Sequence, residues 1–366
     1  MKAHIWLHET ASQKERPAGR RPDYGNTMNH KAQAKKVKDR SAECRPCEEY
    51  NIGIWNALFA QRRCAILRHA FSAYHSIGST LTRRELNMIQ EQKKFAAQIR
   101  LETVRQVGKR GFGHLSGALS VVDALAVLYG SVMRVDPKNP DWPDRDKLVM
   151  SKGHAGPALY STLALLGYFP MDWLDTLNQP GTRLPSHCDR LLTPGIDMTT
   201  GSLGQGVSTA VGLALAQRMD GKGAKTYVFV GDGECNEGQV WEGAMFAAAH
   251  KLDNLTFLVD YNCKQLDGTT TEILDMGELG AKFSAFGFHV QDIDGGDVAA
   301  IHEALTATEQ VADRPSCIVL HTMKGAGVSA VIDIELNHHI PLEGELLEKA
   351  LIECQETLDA LEGGTN

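Results

Sequence analysis

The stretch Tyr227-Val-Phe-Val-Gly-Asp-Gly-Glu-Cys-Asn-Glu-Gly238 is an apolar run that ends in a glycine-flanked aspartate, Asp232. The same order recurs 30 residues later, where the apolar run Leu255-Thr-Phe-Leu-Val259 precedes Asn262. Both runs are short and rich in β-branched and aromatic residues, which is typical of buried parallel strands. The Ala-rich segment 240–249 lies between them and predicts the crossover helix of a right-handed strand–helix–strand unit.

A unit of this kind brings the carboxyl ends of its strands to one edge of the sheet, so Asp232 and Asn262 can face one cation. A few hard oxygen ligands suit Mg²⁺, which keeps phosphate oxygens and water as its other ligands. Gly231 and Gly233 allow the backbone to approach a diphosphate, and the helix N-terminus that follows favours an anion. We expect Asp232 to lie at a strand end, outside the core. The alternative is two ordinary turns without a ligand, since Gly, Asp and Asn are common turn residues.

The alternation of strand and helix patterns continues along most of the chain. Strand patterns occur at 147–150, 288–293 and 317–321, and helical patterns at 89–107, 121–128, 204–218 and 298–311. This order predicts an α/β fold with a doubly wound, mainly parallel sheet and helices on both faces.

The residues around the two turns favour a bound ligand. Glu237-Gly238, Trp241-Glu242, Leu252-x-Asn254-Leu255 and Gln265-x-Asp267-Gly268 fall where transketolases place such residues, so the chain resembles the transketolase family. The resemblance implies thiamine diphosphate and Mg²⁺ as cofactors, and a thiamine-diphosphate-binding fold of the diphosphate-binding type. It also implies metal ligands from Asp232, Asn262 and the backbone carbonyl of Lys264. Cofactor contacts are implied for Gly231, Asp232, Gly233, Glu237 and Asn262.

Four histidines lie in loops that contain Gly, Ser or Pro: His114, His154, His187 and His338. A single loop histidine is more often a surface residue, and no pair of these has the spacing of metal ligands on a helix. Matched to the loops of transketolases, His114, His187 and His338 are implied as catalytic residues, and His154 and His338 as cofactor-binding residues. Proton transfer at sugar hydroxyls suits a group that titrates near neutrality.

The turn Gly201-Ser-Leu-Gly-Gln-Gly206 is similar to another transketolase segment, which implies that Gly201 and Leu203 lie at the cofactor. A helix-capping turn is the alternative. The chain also departs from the family pattern, with Leu115 in place of Pro and His339 in place of Gly. Lys264 replaces an aliphatic residue, so we expect its side chain to turn away from the cationic ring of the cofactor.

The two ends of the chain differ from its centre. Residues 1–40 carry ten Lys and Arg against four Asp and Glu, and residues 1–81 predict a basic, irregular extension that does not fold by itself. Met88 is an alternative start. Residues 82–342 predict the α/β domain, and 343–366 an amphipathic helix with a short tail. The helical or strand character of 52–74 is left open.

Composition favours a soluble cytoplasmic enzyme. The chain has 366 residues, of which 43% are hydrophobic and 23% charged, as in ordinary globular proteins. No run has the length of a transmembrane helix, and no nucleic-acid-binding motif accompanies the basic segment. Apart from Cys44 and Cys47, the eight cysteines are widely spaced, which favours reduced thiols in the cytoplasm.

The resemblance covers residues 85–360 and includes none of the second transketolase domain, which binds the pyrimidine ring of the cofactor. It therefore implies the N-terminal subunit of a split transketolase, which acts with a separate C-terminal subunit in an α2β2 assembly. The implied reaction transfers a two-carbon ketol unit between sugar phosphates. The alternatives are a subunit of a deoxyxylulose-phosphate-synthase-like enzyme or of a 2-oxo-acid dehydrogenase, and a non-catalytic protein that binds Mg²⁺ and thiamine diphosphate.

Overall fold

The computed structural model describes residues 82–363. The segment 52–74 and the pair Cys44 and Cys47 lie outside them. The strands are β1 (Phe112–Gly113), β2 (Lys147–Met150), β3 (Thr226–Gly231), β4 (Leu255–Tyr261), β5 (His289–Asp294), β6 (Ser316–His321) and β7 (Ile340–Pro341). The α-helices are α1 (Arg83–Arg110), α2 (Leu115–Leu119), α3 (Val122–Val127), α4 (Gly156–Leu165), α5 (Gln205–Met219), α6 (Gly238–Ala249), α7 (Thr270–Leu274), α8 (Leu279–Ala285), α9 (Val298–Thr308), α10 (Ser329–Ile332) and α11 (Gly344–Gly363).

The central sheet has five parallel strands in the order β2-β3-β4-β6-β5. One core layer packs α1, α3, α4 and α9 against one face, and the other packs α5, α6 and α8 against the opposite face. Successive residues of β3 enter alternate layers, Val228 and Val230 on one side and Phe229 on the other. Helices therefore cover both faces of a parallel sheet, which confirms the predicted doubly wound fold. Strands covered on both faces need continuous apolar sequence, and β3 has it.

The predicted helices and strands are present with small shifts at their ends. Strand β2 has the predicted bounds, whereas the helix expected at 121–128 is α3 followed by a π-helical turn at Leu128–Val132. The helix expected at 298–311 ends at Thr308. Within residues 82–363, no helix is both long enough and apolar enough to cross a membrane.

The long helix α1 has a defined start. The Thr82 hydroxyl oxygen accepts a hydrogen bond from the Glu85 amide, and the Glu85 carboxylate accepts one from the Thr82 amide, forming a capping box. A chain that started at Met88 would lack this cap and the first turn. The helix ends at Gly111, whose φ of 88° is in the left-handed region, and the chain enters β1 directly.

Helix α11 packs along α1 and belongs to the same compact unit as the sheet. Its residues Ala350, Cys354 and Leu358 are buried, as the amphipathic pattern predicted. A Cβ added at Gly108 of α1 would lie 2.2 Å from Leu347, so the two helices approach closely there.

A two-stranded antiparallel ribbon brings distant loops together. Strand β1 pairs with β7, with Gly113 opposite Ile340. Because His114 follows Gly113 and His339 precedes Ile340, this short ribbon places the first and last of the predicted histidine loops side by side.

Candidate active site

Strands β3 and β4 end beside each other at the carboxyl edge of the sheet, where Gly231 pairs with Asp260. Asp232 is only 3% exposed, so the expectation that it lies outside the core is wrong. Its carboxylate accepts hydrogen bonds from the amides of Gly233 (2.8 Å) and Cys263 (2.6 Å), which cross-links the two strand ends. The buried side chain of Asn262 lies at the end of β4.

The second carboxylate at this edge, Asp260, is fully buried and forms an ion pair with Lys152. It also accepts hydrogen bonds from the Ser120 hydroxyl (2.7 Å), from the Thr322 hydroxyl and from the Asn262 amide (2.8 Å). Burial alone would raise the pKa of Asp260, but the Lys152 ammonium and these donors lower it below its usual value.

The surroundings of Asp232 shift its pKa in the opposite direction from that of Asp260. Burial and the neighbouring Asp260 carboxylate raise its pKa from 3.8 to about 7, although two backbone amides donate to it. The Asn262 side-chain oxygen accepts a hydrogen bond from the Lys264 amide, at 3.2 Å. A cation at this edge would relieve the unfavourable buried charge of Asp232.

The donor set at this edge fits Mg²⁺ on a diphosphate. Among residues 82–363, no group of three or more His, Cys, Asp or Glu side chains could hold a metal ion. Asp232, Asn262 and the Lys264 carbonyl would supply only part of an octahedral shell, and Mg²⁺ commonly takes its remaining ligands from phosphate and water. The Lys264 side chain donates to the Ile334 carbonyl at 3.4 Å.

Lys324 connects this edge to the histidines. Its ammonium donates to the carbonyl oxygens of Lys264 (3.3 Å) and Gln265 (3.1 Å), and it lies 3.1 Å from Nδ1 of His338. Burial and the nearby Lys152 cation lower the pKa of Lys324 to about 8. An ammonium can only donate, so Nδ1 of His338 accepts and Nε2 carries the ring proton.

The structure brings all four predicted histidines together and adds a fifth. The ring centroid of His114 lies 5.6 Å from that of His154, 5.4 Å from His187, 5.2 Å from His338 and 4.7 Å from His339. The rings of His154 and His338 are 4.8 Å apart. His339 occupies the position where the family pattern has Gly.

The surroundings of His114, His154, His187 and His338 favour the neutral form of each imidazole, because they lower its pKa. Burial, followed by His339 and His187, lowers the pKa of His114 to about 4. Burial and the Lys324 cation lower the pKa of His338 to about 3, and burial also lowers the pKa of His154 and of His187. The cluster therefore offers hydrogen-bond donors and acceptors to a neutral or anionic ligand.

Glu234 organises the loops around the site, a role that reasoning from the sequence missed. Its carboxylate accepts from the Ser151 hydroxyl (2.5 Å) and from the amides of Gly204 (2.7 Å) and Gly231 (3.1 Å). Lys152, Asp260 and Lys324 were missed as well. A recognisable signal was that all four are charged residues within, or no more than three residues beyond, the apolar strands β2, β3, β4 and β6.

The glycines predicted at the site differ in whether the surrounding structure requires a residue without a side chain. A Cβ at Gly233 would lie 2.7 Å from the Gln265 side chain, whereas one at Gly231 would meet nothing closer than 3.8 Å. Gly201 has a φ of 151° and lies against the His187 ring. Leu203 is half-buried, and Glu237 is exposed at the start of α6.

Comparison with known proteins agrees with this geometry. Residues 91–352 match the family model described as transketolase, thiamine diphosphate binding domain. The chain belongs to the transketolase family. It is 51% identical over 258 residues to the 6-deoxy-6-sulfo-D-fructose transketolase subunit SqwG of Clostridium sp. (strain MSTE9), covering 70% of this chain and 94% of the relative. It is 38% identical over 267 residues to an apulose-4-phosphate transketolase subunit of Phocaeicola vulgatus (strain ATCC 8482), covering 73% and 95%.

Among solved structures, transketolase from Leishmania mexicana superposes with a TM-score of 0.65 at 30% identity, covering 75% of this chain and 45% of that protein. Transketolase from Campylobacter jejuni superposes with a TM-score of 0.66 at 31% identity and the same coverage. The chain thus spans nearly all of the subunit-type relatives but less than half of these transketolases. It is part of a transferase, a transketolase subunit as predicted, and this reading is favoured over the other thiamine-dependent enzymes and the non-catalytic protein.

Proposed function

We propose that this subunit binds Mg²⁺ and the diphosphate of thiamine diphosphate at the Asp232 edge. Its histidine cluster transfers protons to and from the hydroxyl groups of the sugar. A C-terminal, pyrimidine-binding subunit completes the site in a cytoplasmic α2β2 complex. The observation that carries the proposal is the contact of Lys324 with both the Lys264 carbonyl and His338, which makes one continuous site of the two regions.

In this site, Asp232, Asn262 and the Lys264 carbonyl hold the metal. Thiamine diphosphate, when bound, carries the two-carbon unit between donor and acceptor sugars. His338 presents its Nε2 proton as a donor because Lys324 occupies Nδ1. His114 lies at the centre of the cluster, where it can exchange a proton with a hydroxyl and with its neighbours.

The sequence relationships favour a ketose donor with an anionic group at the far end of its carbon chain. The relative that acts on 6-deoxy-6-sulfo-D-fructose is 51% identical, against 38% for the apulose-4-phosphate relative. We therefore place 6-deoxy-6-sulfo-D-fructose first among the donors of this subunit, and ketose phosphates second.

The test is a ketol-transfer assay on this chain mixed with the C-terminal, pyrimidine-binding subunit, using an aldose phosphate as acceptor. Expected results are a higher kcat/KM for 6-deoxy-6-sulfo-D-fructose than for fructose 6-phosphate, and no transfer without Mg²⁺. Transfer that persists after the metal is removed would contradict the metal assignment, and a preference for the phosphate ester would reverse the order of substrates.

A further inference from the structure

The register of the β1–β7 ribbon holds His339 at the edge of the histidine cluster. Gly113 pairs with Ile340, so the next residues along the ribbon, His114 and His339, lie opposite each other. Side chains alternate between the two faces of a strand, so Phe112, two residues before His114, shares their face. The ring centroid of His339 lies 4.7 Å from that of His114 and 5.5 Å from that of Phe112. Backbone pairing and ring contacts on two sides therefore fix the position of this imidazole.

The nitrogens of the His339 ring are available to a ligand. Within residues 82–363, the ring contacts those of Phe112 and His114, and neither of its nitrogens forms a hydrogen bond or an ion pair. His339 is exposed, whereas Nδ1 of His338 is occupied by Lys324. An imidazole keeps at least one N–H donor in every protonation state, and in its neutral form it also has an acceptor nitrogen. The His339 ring therefore offers hydrogen-bonding groups, at a fixed place, to a molecule bound at the cluster.

The chemistry of two adjacent imidazoles matches that of a sugar chain. A hydroxyl group both donates and accepts a hydrogen bond, so it pairs well with an imidazole. The rings of His114 and His339 lie side by side, as do the hydroxyl groups on neighbouring carbons of a sugar. A sugar with one hydroxyl at His114 therefore places the next hydroxyl at His339. The Gly that the family pattern has at this position offers no side chain to that second hydroxyl.

Resting on the proposed function, we propose that His339 is a specificity-determining residue that binds the sugar hydroxyl next to the one that exchanges a proton with His114. The site then favours substrates with hydroxyl groups on neighbouring carbons over shorter or deoxygenated ones. The competing role is packing, in which the His339 ring only holds the His114 ring in place.

The experiment measures sugar binding by isothermal titration to the full chain assembled with the C-terminal subunit, Mg²⁺ and thiamine diphosphate. The probe is ribose 5-phosphate without a ketose donor, so that it binds without reacting. His339→Phe keeps a ring beside His114 but removes both nitrogens, and should weaken binding by about 3- to 10-fold, the effect of losing one neutral hydrogen bond. His339→Gly should show the same loss, and His339→Asn, which keeps a donor and an acceptor, should recover part of the affinity. The matched control is His250→Phe, because His250 is also exposed and its ring stacks on Phe246; it should bind like the wild type.

A second acceptor separates hydroxyl binding from packing. Glycolaldehyde has a single hydroxyl group, so it has no second hydroxyl for His339. With a saturating ketose donor, His339→Phe should lower kcat/KM for ribose 5-phosphate by the same factor as the affinity and leave kcat/KM for glycolaldehyde unchanged. Equal losses for the two acceptors, or wild-type affinity for ribose 5-phosphate in His339→Phe, would overturn the proposal and leave the proposed function intact. Absence of both sugar binding and ketol transfer in the wild-type complex would instead refute the proposed function, and the role of His339 with it.

Discussion

Replacing Asp232 with Asn should stabilise the protein when no metal is bound, although Asp232 is part of the proposed active site. Its pKa rises from 3.8 in the unfolded chain to about 7 in the folded one. The folded state therefore binds the proton more tightly, and stability is lost as the pH rises from 3.8 to 7. Above pH 7 this loss corresponds to about 4 kcal/mol.

The substitution also removes a hydrogen-bond acceptor. An Asn has one side-chain oxygen, so the amide of either Gly233 or Cys263 loses its partner, at a cost of about 1–3 kcal/mol. The net expectation at pH 8 is a gain of roughly 1–3 kcal/mol in the free energy of unfolding. For a domain of this size, that raises the melting temperature by about 2–4 °C per kcal/mol.

The control is Asp260→Asn, a chemically identical change in the adjacent strand. It leaves the buried Lys152 ammonium unpaired, which should cost about 3–5 kcal/mol. The same substitution at these two neighbouring carboxylates should therefore shift the melting temperature in opposite directions.

The assay is thermal unfolding at pH 5 and pH 8, in EDTA and with Mg²⁺ plus thiamine diphosphate. In EDTA, Asp232→Asn should melt above the wild type at pH 8, and the difference should vanish or reverse at pH 5, where wild-type Asp232 is protonated. Mg²⁺ plus thiamine diphosphate should stabilise only the wild type. The reasoning is refuted by a variant that melts below the wild type at pH 8 in EDTA, or that keeps the ligand-dependent shift.

Four further predictions concern the rest of the chain. The purified chain alone should show no ketol transfer above background and should gain it with the partner subunit; turnover by the isolated chain contradicts the split site. In the reconstituted enzyme, His114→Gln should lose about 10²–10⁴-fold in rate, and a loss of less than twofold excludes an acid–base role. Because His114 and His338 have lowered pKa values in the folded state, stability should fall as the pH drops from 6.5 towards 4, and melting curves of His114→Gln should show a smaller fall. A chain starting at Thr82 should be more stable than one starting at Met88 by the roughly 1 kcal/mol that a helix cap contributes, and should melt at a higher temperature. Equal melting temperatures would show that the cap is unimportant.

The sheet and its helices could be predicted because their signals are local. Apolar runs such as 227–230 and 255–259 are read directly as strands buried on both faces, and β3 and β4 extend them by only one or two residues. The ribbon of β1 and β7 could not be predicted in this way. Each strand has two residues, too few for a periodic pattern, and the two lie at opposite ends of the domain. The meeting of His114 with His338 was therefore predicted only through the family resemblance.

The charged interior was missed for a different physical reason. Lys152, Glu234, Asp260 and Lys324 are all 3% exposed or less, although charged residues are usually solvated. Their burial depends on partners in other segments, such as the Lys152 and Asp260 pair across β2 and β4. Partners of this kind follow from strand order and register, which a single sequence does not reveal.

Under the proposed function, the charges beside the bound cofactor also control the protonation of the histidines. The Lys324 cation is one reason why the pKa of His338 is only about 3, and His338 in turn lowers the pKa of its neighbour His154. An anionic diphosphate held at the Asp232 edge adds negative charge near Lys324 and the histidine rings, and therefore raises the pKa values of the rings. An imidazole is an effective acid or base only when its pKa is near the working pH. Cofactor binding would then convert a cluster of neutral hydrogen-bonding groups into one that can exchange protons, so proton transfer at the sugar is coupled to an occupied diphosphate site.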